Sequence, residues 1–273
     1  LQLNIGGRGL DPRRTSNFNV RQNGYEISAE PLGYPESYYV PPFECLESIE
    51  LVRGAGSLQY GTQFGGLLNF NIKKPVLSKK IELLTRRTIG SFGLYTNFTS
   101  LSGTANKIGY YVFYNAKTGN GFRPNSYFDS KTAYSFFSYQ LNSKLNMSFE
   151  LTYMDYLAQQ PGGLTDEMFS HNIFQSNRER NWLTVSWLLY NVKANYSFSQ
   201  NTNLSFSTYL LNANRYAVGF RTNKVNMVDQ IEERDLIKSD FNNVGVEAKL
   251  IHTFRLFGLD LVYLFGTKFY SGK

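Results

Sequence analysis

The sequence has one cysteine, Cys45, in 273 residues. No disulfide can form within the chain, and a cysteine-rich metal site is out of reach. Cys45 therefore reads as a small buried hydrophobe. Histidine is almost as scarce. His171 and His252 stand far apart, without the partners that a zinc or haem site requires. Long apolar runs are missing too: none approaches the ~18 residues of a membrane helix, and mean hydropathy is −0.34. A helical membrane protein is thereby excluded. A β-barrel is not, because its lipid-facing residues alternate with polar ones and average out. There is no initiating methionine and no leader. The chain opens inside Leu1-Gln2-Leu3-Asn4-Ile5 and stops inside the strand-like run Leu259–Tyr270, so both ends read as cuts and the missing leader says nothing of location. Catalytic constellations are lacking. Ser57 sits in Gly54-Ala55-Gly56-Ser57, an incomplete nucleophile elbow with neither histidine nearby. No enzyme activity, cofactor or resident metal is expected.

Aromatic residues are abundant, with 20 Tyr and 22 Phe making 16% with tryptophan. That load suits a protein with aromatic girdles at two membrane interfaces. Net charge is +7. Residues 1–75 are balanced, with Arg8, Arg13, Arg14, Arg21, Arg53, Lys73 and Lys74 against Asp11, Glu26, Glu30, Glu36, Glu44, Glu47 and Glu50. The surplus lies downstream, scattered among aromatics and asparagines. Nucleic-acid binding is not expected, since no clustered basic patch or groove-reading motif accompanies the charge.

Two patterns divide the chain. Residues 1–75 are rich in glycine and proline, with tight turns at Gly6-Gly7-Arg8-Gly9, Asn23-Gly24 and Gly65-Gly66. Short apolar segments lie between them: Asn19–Arg21, Ser48–Val52 and Leu67–Ile72. This predicts a small mixed α/β unit, ended by Lys73-Lys74-Pro75, where the proline stops strand pairing. Residues 76–273 show long alternation instead. Leu145, Met147, Phe149, Leu151 and Tyr153 alternate with Asn146, Ser148, Glu150 and Thr152. Val192, Ala194, Tyr196 and Phe198 do so with Lys193, Asn195 and Ser197. About nine strands are expected, near 79–89, 92–102, 107–117, 132–141, 144–156, 183–198, 202–217, 242–254 and 258–270.

Each is about ten residues or more, enough to cross a bilayer at barrel tilt. Connections alternate between short (Gly103–Asn106, Asn142-Ser143, Gln200-Asn201, Arg255–Gly258) and long (Gly119–Lys131, Leu157–Trp182, Gly219–Phe241). Short turns at one end and long loops at the other are the outer-membrane arrangement. A soluble β-sandwich also alternates, but strand length, aromatic load and loop rhythm argue against it. The fold class is therefore mainly β: a mixed α/β unit, then an incomplete antiparallel transmembrane β-barrel.

One ordered set of residues carries a resemblance. Glu47-Ser48-Ile49-Glu50-Leu51-Val52-Arg53-Gly54-Ala55-Gly56-Ser57-Leu58-Gln59-Tyr60-Gly61, then Gly65-Gly66-Leu67-Leu68-Asn69, resembles the plug signature of TonB-dependent outer-membrane receptors. Ile5–Gly9 resembles the arginine-glycine segment upstream of it in that family. Arg8-Gly9-Leu10-Asp11-Pro12-Arg13-Arg14-Thr15-Ser16, Gly33-Tyr34-Pro35, Pro161-Gly162-Gly163-Leu164-Thr165 and Phe174-Gln175-Ser176-Asn177-Arg178 are similar to the subfamily of receptors for ferric citrate.

The resemblance implies that residues 1–75 are the later part of a plug and residues 76–273 the first part of a barrel of roughly 22 strands. It implies active uptake without covalent chemistry, driven through TonB, whose contact segment would precede Leu1. It implies a location in the outer membrane of a Gram-negative bacterium, among lipid and lipopolysaccharide. Other cargo, such as another siderophore, haem, cobalamin or an oligosaccharide, stays open. Arg8 and Arg53 resemble plug arginines that face barrel carboxylates. Glu82 and Glu150, lumen-facing by phase, could meet them. A ferric citrate anion needs arginine forks, and the candidates are Arg13, Arg14 and Tyr34 on the plug and Gln160, Arg178 and Arg180 in the third outer loop. Arg215 and Arg221 flank the fourth.

Overall fold

The computed structural model describes residues 18–29, 38–53, 65–220, 222, 224–229 and 232–273. Two sheets account for them. The first has four short strands in the order β2-β1-β4-β3, with β1 at Phe18–Gln22, β2 at Tyr25–Glu26, β3 at Leu46–Val52 and β4 at Gly66–Ile72. The three apolar segments expected in this region are β1, β3 and β4. β1 and β2 form a hairpin across Asn23-Gly24, whose φ angles of 47° and 87° are the positive pair that a two-residue type I′ turn requires. A 3-10 turn at Phe43–Cys45 is the helical element of this unit among the described residues.

The second sheet has nine antiparallel strands, each paired with its sequence neighbour: β5 Glu82–Ile89, β6 Tyr95–Ala105, β7 Ile108–Gly119, β8 Phe128–Gln140, β9 Leu145–Gln159, β10 Trp182–Ser197, β11 Thr202–Val218, β12 Leu236–Leu256 and β13 Leu259–Gly272. Nine is the expected number. β8 begins four residues earlier than the alternation indicates and β12 six residues earlier. The strands lengthen from 8 residues in β5 to 21 in β12, so one rim of the wall climbs steadily around it. One helix, α1 at Asp166–His171, sits in the long β9–β10 loop. Thr165 caps it, accepting a hydrogen bond from the Met168 amide at 3.2 Å.

Register turns alternation into two faces. Thr152, Leu189, Leu211 and Asn243 are cross-strand partners, and all four are buried. The row on the opposite phase runs Phe137, Phe149, Val192, Thr208, Val246 and Phe269, and its phenylalanines are exposed. The buried face packs on the small sheet. Phe18, Val20, Tyr25, Ile27, Tyr39 and Phe70 share one core with Leu183, Val185, Trp187, Leu189, Tyr209 and Leu211 of the wall. A second cluster joins Cys45 and Ile72 to Phe98, Tyr111, Phe113 and Tyr134. Burial pushes the Cys45 thiol well above its ordinary range, so it packs as a hydrophobe. Beside β10 and β11 the inward face is an apolar core, because the small sheet fills the space that water would occupy.

Candidate functional site: the plug–wall seams and the outer mouth

β1 carries a guanidinium into this core. Arg21 donates to both carboxylate oxygens of Glu247 on β12, at 2.9 and 3.2 Å. Their side chains are 1% and 7% exposed, respectively. Arg21 also donates from Nε to Asn19 at 2.8 Å and from NH1 to the Gly24 carbonyl at 2.5 Å. Burial works against its charge, but the hydrogen bonds and field of Glu247 outweigh it and hold the pKa above its ordinary value. Lys268 on β13 reaches Glu26 at 2.6 Å, and Lys249 lies 3.4 Å from Glu247. Three cations and two carboxylates thus join the plug to β12 and β13. Nearby, Asn243 Nδ2 donates to the Ala29 carbonyl at 2.6 Å.

The seam against β8 and β9 is built from neutral donors. Asn23, at the hairpin turn, donates to Glu150 at 2.8 Å and to the Tyr134 hydroxyl at 3.2 Å. Tyr134 donates to the same Glu150 oxygen at 2.9 Å. Gln22 donates to Thr152 at 3.1 Å and accepts from Tyr39 at 2.9 Å. Below this seam, between the plug and β7–β10, lies a cavity of about 700 Å³ that Asn23, Glu150 and Lys193 help to line.

Toward the long-loop rim the inward phase of β11 presents Arg215. Its guanidinium lies 5.5 Å from the ring of Tyr38 on the plug. Tyr38 in turn meets Trp187 edge-on at 6.1 Å. Two buried donors here, Arg215 Nε and Trp187 Nε1, have no hydrogen-bond partner among the described residues. Orphaned buried donors are uncommon, and a cluster of them marks a place where an acceptor belongs.

Above this point the loops are tied to one another by arginines. Arg178 is buried, donating to the carbonyls of Asn177 at 2.5 Å and Met227 at 3.0 Å. Arg178 and Arg234 lie over the same Phe220 ring, at 4.9 and 4.7 Å. Asp229 accepts from Arg234 and pairs with Arg180 at 3.4 Å. Burial works to raise the Asp229 pKa, but the two arginines outweigh it and hold it below the ordinary carboxylate range. Asn125 Nδ2 crosses from the β7–β8 loop to the carbonyls of Gln160, Arg178 and Asn181.

The sequence-predicted residues fall as follows. Arg8, Arg13, Arg14 and Tyr34 lie outside the described residues, as does Arg221. Arg53 is exposed. Glu82 has the inward phase, opposite Ser102, and its ion pair is with Lys79 at 2.5 Å. Glu150 faces the plug and meets Asn23. Gln160 is exposed, and its backbone carries the hydrogen bonds of the loop. Arg178 and Arg180 are committed to loop carbonyls and Asp229, while Arg215 lies against the Tyr38 ring. Sequence reasoning did not pick the Arg21–Glu247 pair. The signal was present: Arg21 closes an apolar segment, and Glu247 sits on the polar phase of an alternating strand.

No family model matches the chain. Among solved structures it is similar to the ferric citrate transporter FecA in its unliganded form, with a TM-score of 0.83 and 20% identity over 100% of this chain and 41% of that one. It is similar to BauA, the ferric preacinetobactin receptor from Acinetobacter baumannii, with a TM-score of 0.73 and 12% identity over 95% of this chain and 39% of that one. It is also similar to the ferric-catecholate import receptor Fiu from E. coli K12, with a TM-score of 0.70 and 11% identity over 94% and 42%. The chain therefore spans less than half the length of these proteins. What it shares with them is the fold: here, a small four-stranded sheet held against one face of an open nine-stranded antiparallel sheet.

Proposed function

We propose that this chain is part of an outer-membrane receptor that takes up an iron chelate, ferric citrate in the first instance, with energy transmitted by TonB. The observation that carries the reading is the donor pair at the outer mouth. Arg215 and Trp187 hold buried N–H groups without acceptors among the described residues, beside the ring of Tyr38. A multiply charged carboxylate complex supplies such acceptors, and an arginine fork matches carboxylate geometry. The plug-and-wall likeness to a ferric citrate transporter across the whole chain supports the same reading.

Within it, Arg13, Arg14 and Tyr34 supply the plug side of the site. Arg215 is the fixed donor of the wall. Arg178 and Arg180 hold the third and fourth loops together over the mouth, with Gln160 at their edge. The chelate binds from outside, and TonB remodels the plug to let it pass. The test is binding of ferric citrate to the full-length receptor, followed by quenching of tryptophan fluorescence. Saturable binding is expected, weakened about tenfold or more by Arg215→Ala and unaffected by excess iron-free enterobactin-type catecholate. Equal binding of a neutral chelate, or no effect of Arg215→Ala, would turn the reading toward a different cargo.

A further inference from the structure

The two seams differ in what their parting would leave behind. Opening the β12–β13 seam breaks the two-oxygen contact of Arg21 with Glu247 and the contact of Lys268 with Glu26, all between buried or partly buried charges, and neither Arg21 nor Glu247 lines the cavity below. Opening the β8–β9 seam does not strand its groups. Asn23, Tyr134 and Glu150 already border the cavity of about 700 Å³, so water there takes over their hydrogen bonds. The same cavity is lined by four lysines, Lys73, Lys74, Lys107 and Lys193, against one carboxylate, Glu150. Lys73 and Lys107 donate to the carbonyls of Glu44 and Leu141, neutral acceptors that carry no compensating charge. Lys193 makes no salt bridge among the described residues.

We infer that cargo leaves the lumen on the β8–β10 side of the plug, through this lysine-lined cavity, while the Arg21–Glu247 cluster stays closed as the fixed side. The inference rests on the reading of the cargo as an anionic chelate. A cleft lined by one sign of charge raises the local concentration of the opposite sign. An anion released from the mouth is drawn into the cavity rather than held above it. The hairpin turn at Asn23-Gly24 forms the roof that must lift, and among the described residues its hydrogen bonds to the wall go to Tyr134 and Glu150.

The test compares two reducible bridges in the full-length receptor, in cells supplied with radioactive ferric citrate. Asn23→Cys with Glu150→Cys closes the neutral seam, and Ala29→Cys with Asn243→Cys closes the ionic side. Surface binding and uptake are measured before and after reduction. Bridging the neutral seam should cut uptake at least tenfold, with binding retained and uptake recovered on reduction. Bridging the ionic side should leave uptake within about twofold of its reduced state. Lys193→Glu, with no bridge, should lower uptake several-fold at unchanged binding, and Lys193→Arg should restore it. Uptake that survives the Asn23–Glu150 bridge, or is blocked by the Ala29–Asn243 bridge, overturns the route. Absence of ferric citrate binding in the unbridged receptor overturns the cargo reading first, and the route with it.

Discussion

Removing the Arg21 side chain leaves the Glu247 carboxylate in the interior with its best partner gone. Breaking one half of a buried ion pair costs about 3–5 kcal/mol, whereas replacing both halves with apolar residues is often neutral. Arg21→Ala is therefore expected to lower the melting temperature of the small sheet in calorimetry of the full-length protein. Arg21→Met combined with Glu247→Leu should recover most of the loss, although Lys249 and Lys268 then lose part of their own compensation. Equal damage from the single and double variants would show that the pair does not act as a unit. At this scale the chain was partly legible. Arg21 and Glu247 were visible as an arginine ending an apolar segment and a carboxylate on a polar phase. Their pairing joins residues 226 positions apart, and no local pattern encodes a contact of that range.

The strands and loops each carry a testable consequence. On the outward face of β11, Leu210 and Phe206 are exposed large hydrophobics, while Asn212 bonds to Asn242 and Tyr216 to Asp240. In the proposed outer-membrane setting, the change from apolar to polar along one face marks where lipid gives way to water. Leu210→Arg should cost about 2–4 kcal/mol and Asn212→Arg about 0–1 kcal/mol, the depth dependence of a lipid-facing charge. Comparable costs at the two positions, in refolding titrations from denaturant, would remove the boundary. This boundary also explains why β12 was read six residues short. Above it the outward residues are polar, so the period-two signal fades while pairing continues from Asn242 up to Leu236. β10 shows the reverse case: Leu183, Val185, Trp187 and Leu189 face inward and are buried, Thr184 and Ser186 lie between them on the other face, and the strand falls at Trp182–Ser197, within one residue of where the alternation put it.

In the loops, Asp229 is held charged by Arg234 and Arg180. Because its pKa is depressed in the folded state, its contribution is complete above the unfolded value near 4 and is lost as pH falls through the folded value. Limited proteolysis of the β11–β12 loop should accelerate only below about pH 4 in the native chain. In Asp229→Asn it should be fast at neutral pH as well. Identical cleavage of the two at neutral pH would deny the clamp.

For the molecule as a whole, the sequence order of a compact glycine-rich unit followed by long alternating strands was enough to separate the four-stranded sheet from the nine-stranded one, because each has its own periodicity. The way they fit together was not legible. The shared core of Phe18, Val20, Tyr25 and Ile27 with Val185, Trp187 and Leu189 depends on which inward rows the plug covers, and that is settled by packing between distant segments. The account depends on one arrangement: lipid on the outward phase of the nine strands, plug on the inward phase. Spin labels placed singly at Phe149, Val192, Phe206 and Leu210, and at Thr152, Asn191 and Leu211, in the full-length protein in bilayers, test it directly through collision with oxygen and with a water-soluble nickel complex. The first set should be oxygen-accessible and nickel-protected, and the second protected from both. Equal nickel access on the two phases, or lipid contact at Thr152 and Asn191, would contradict it.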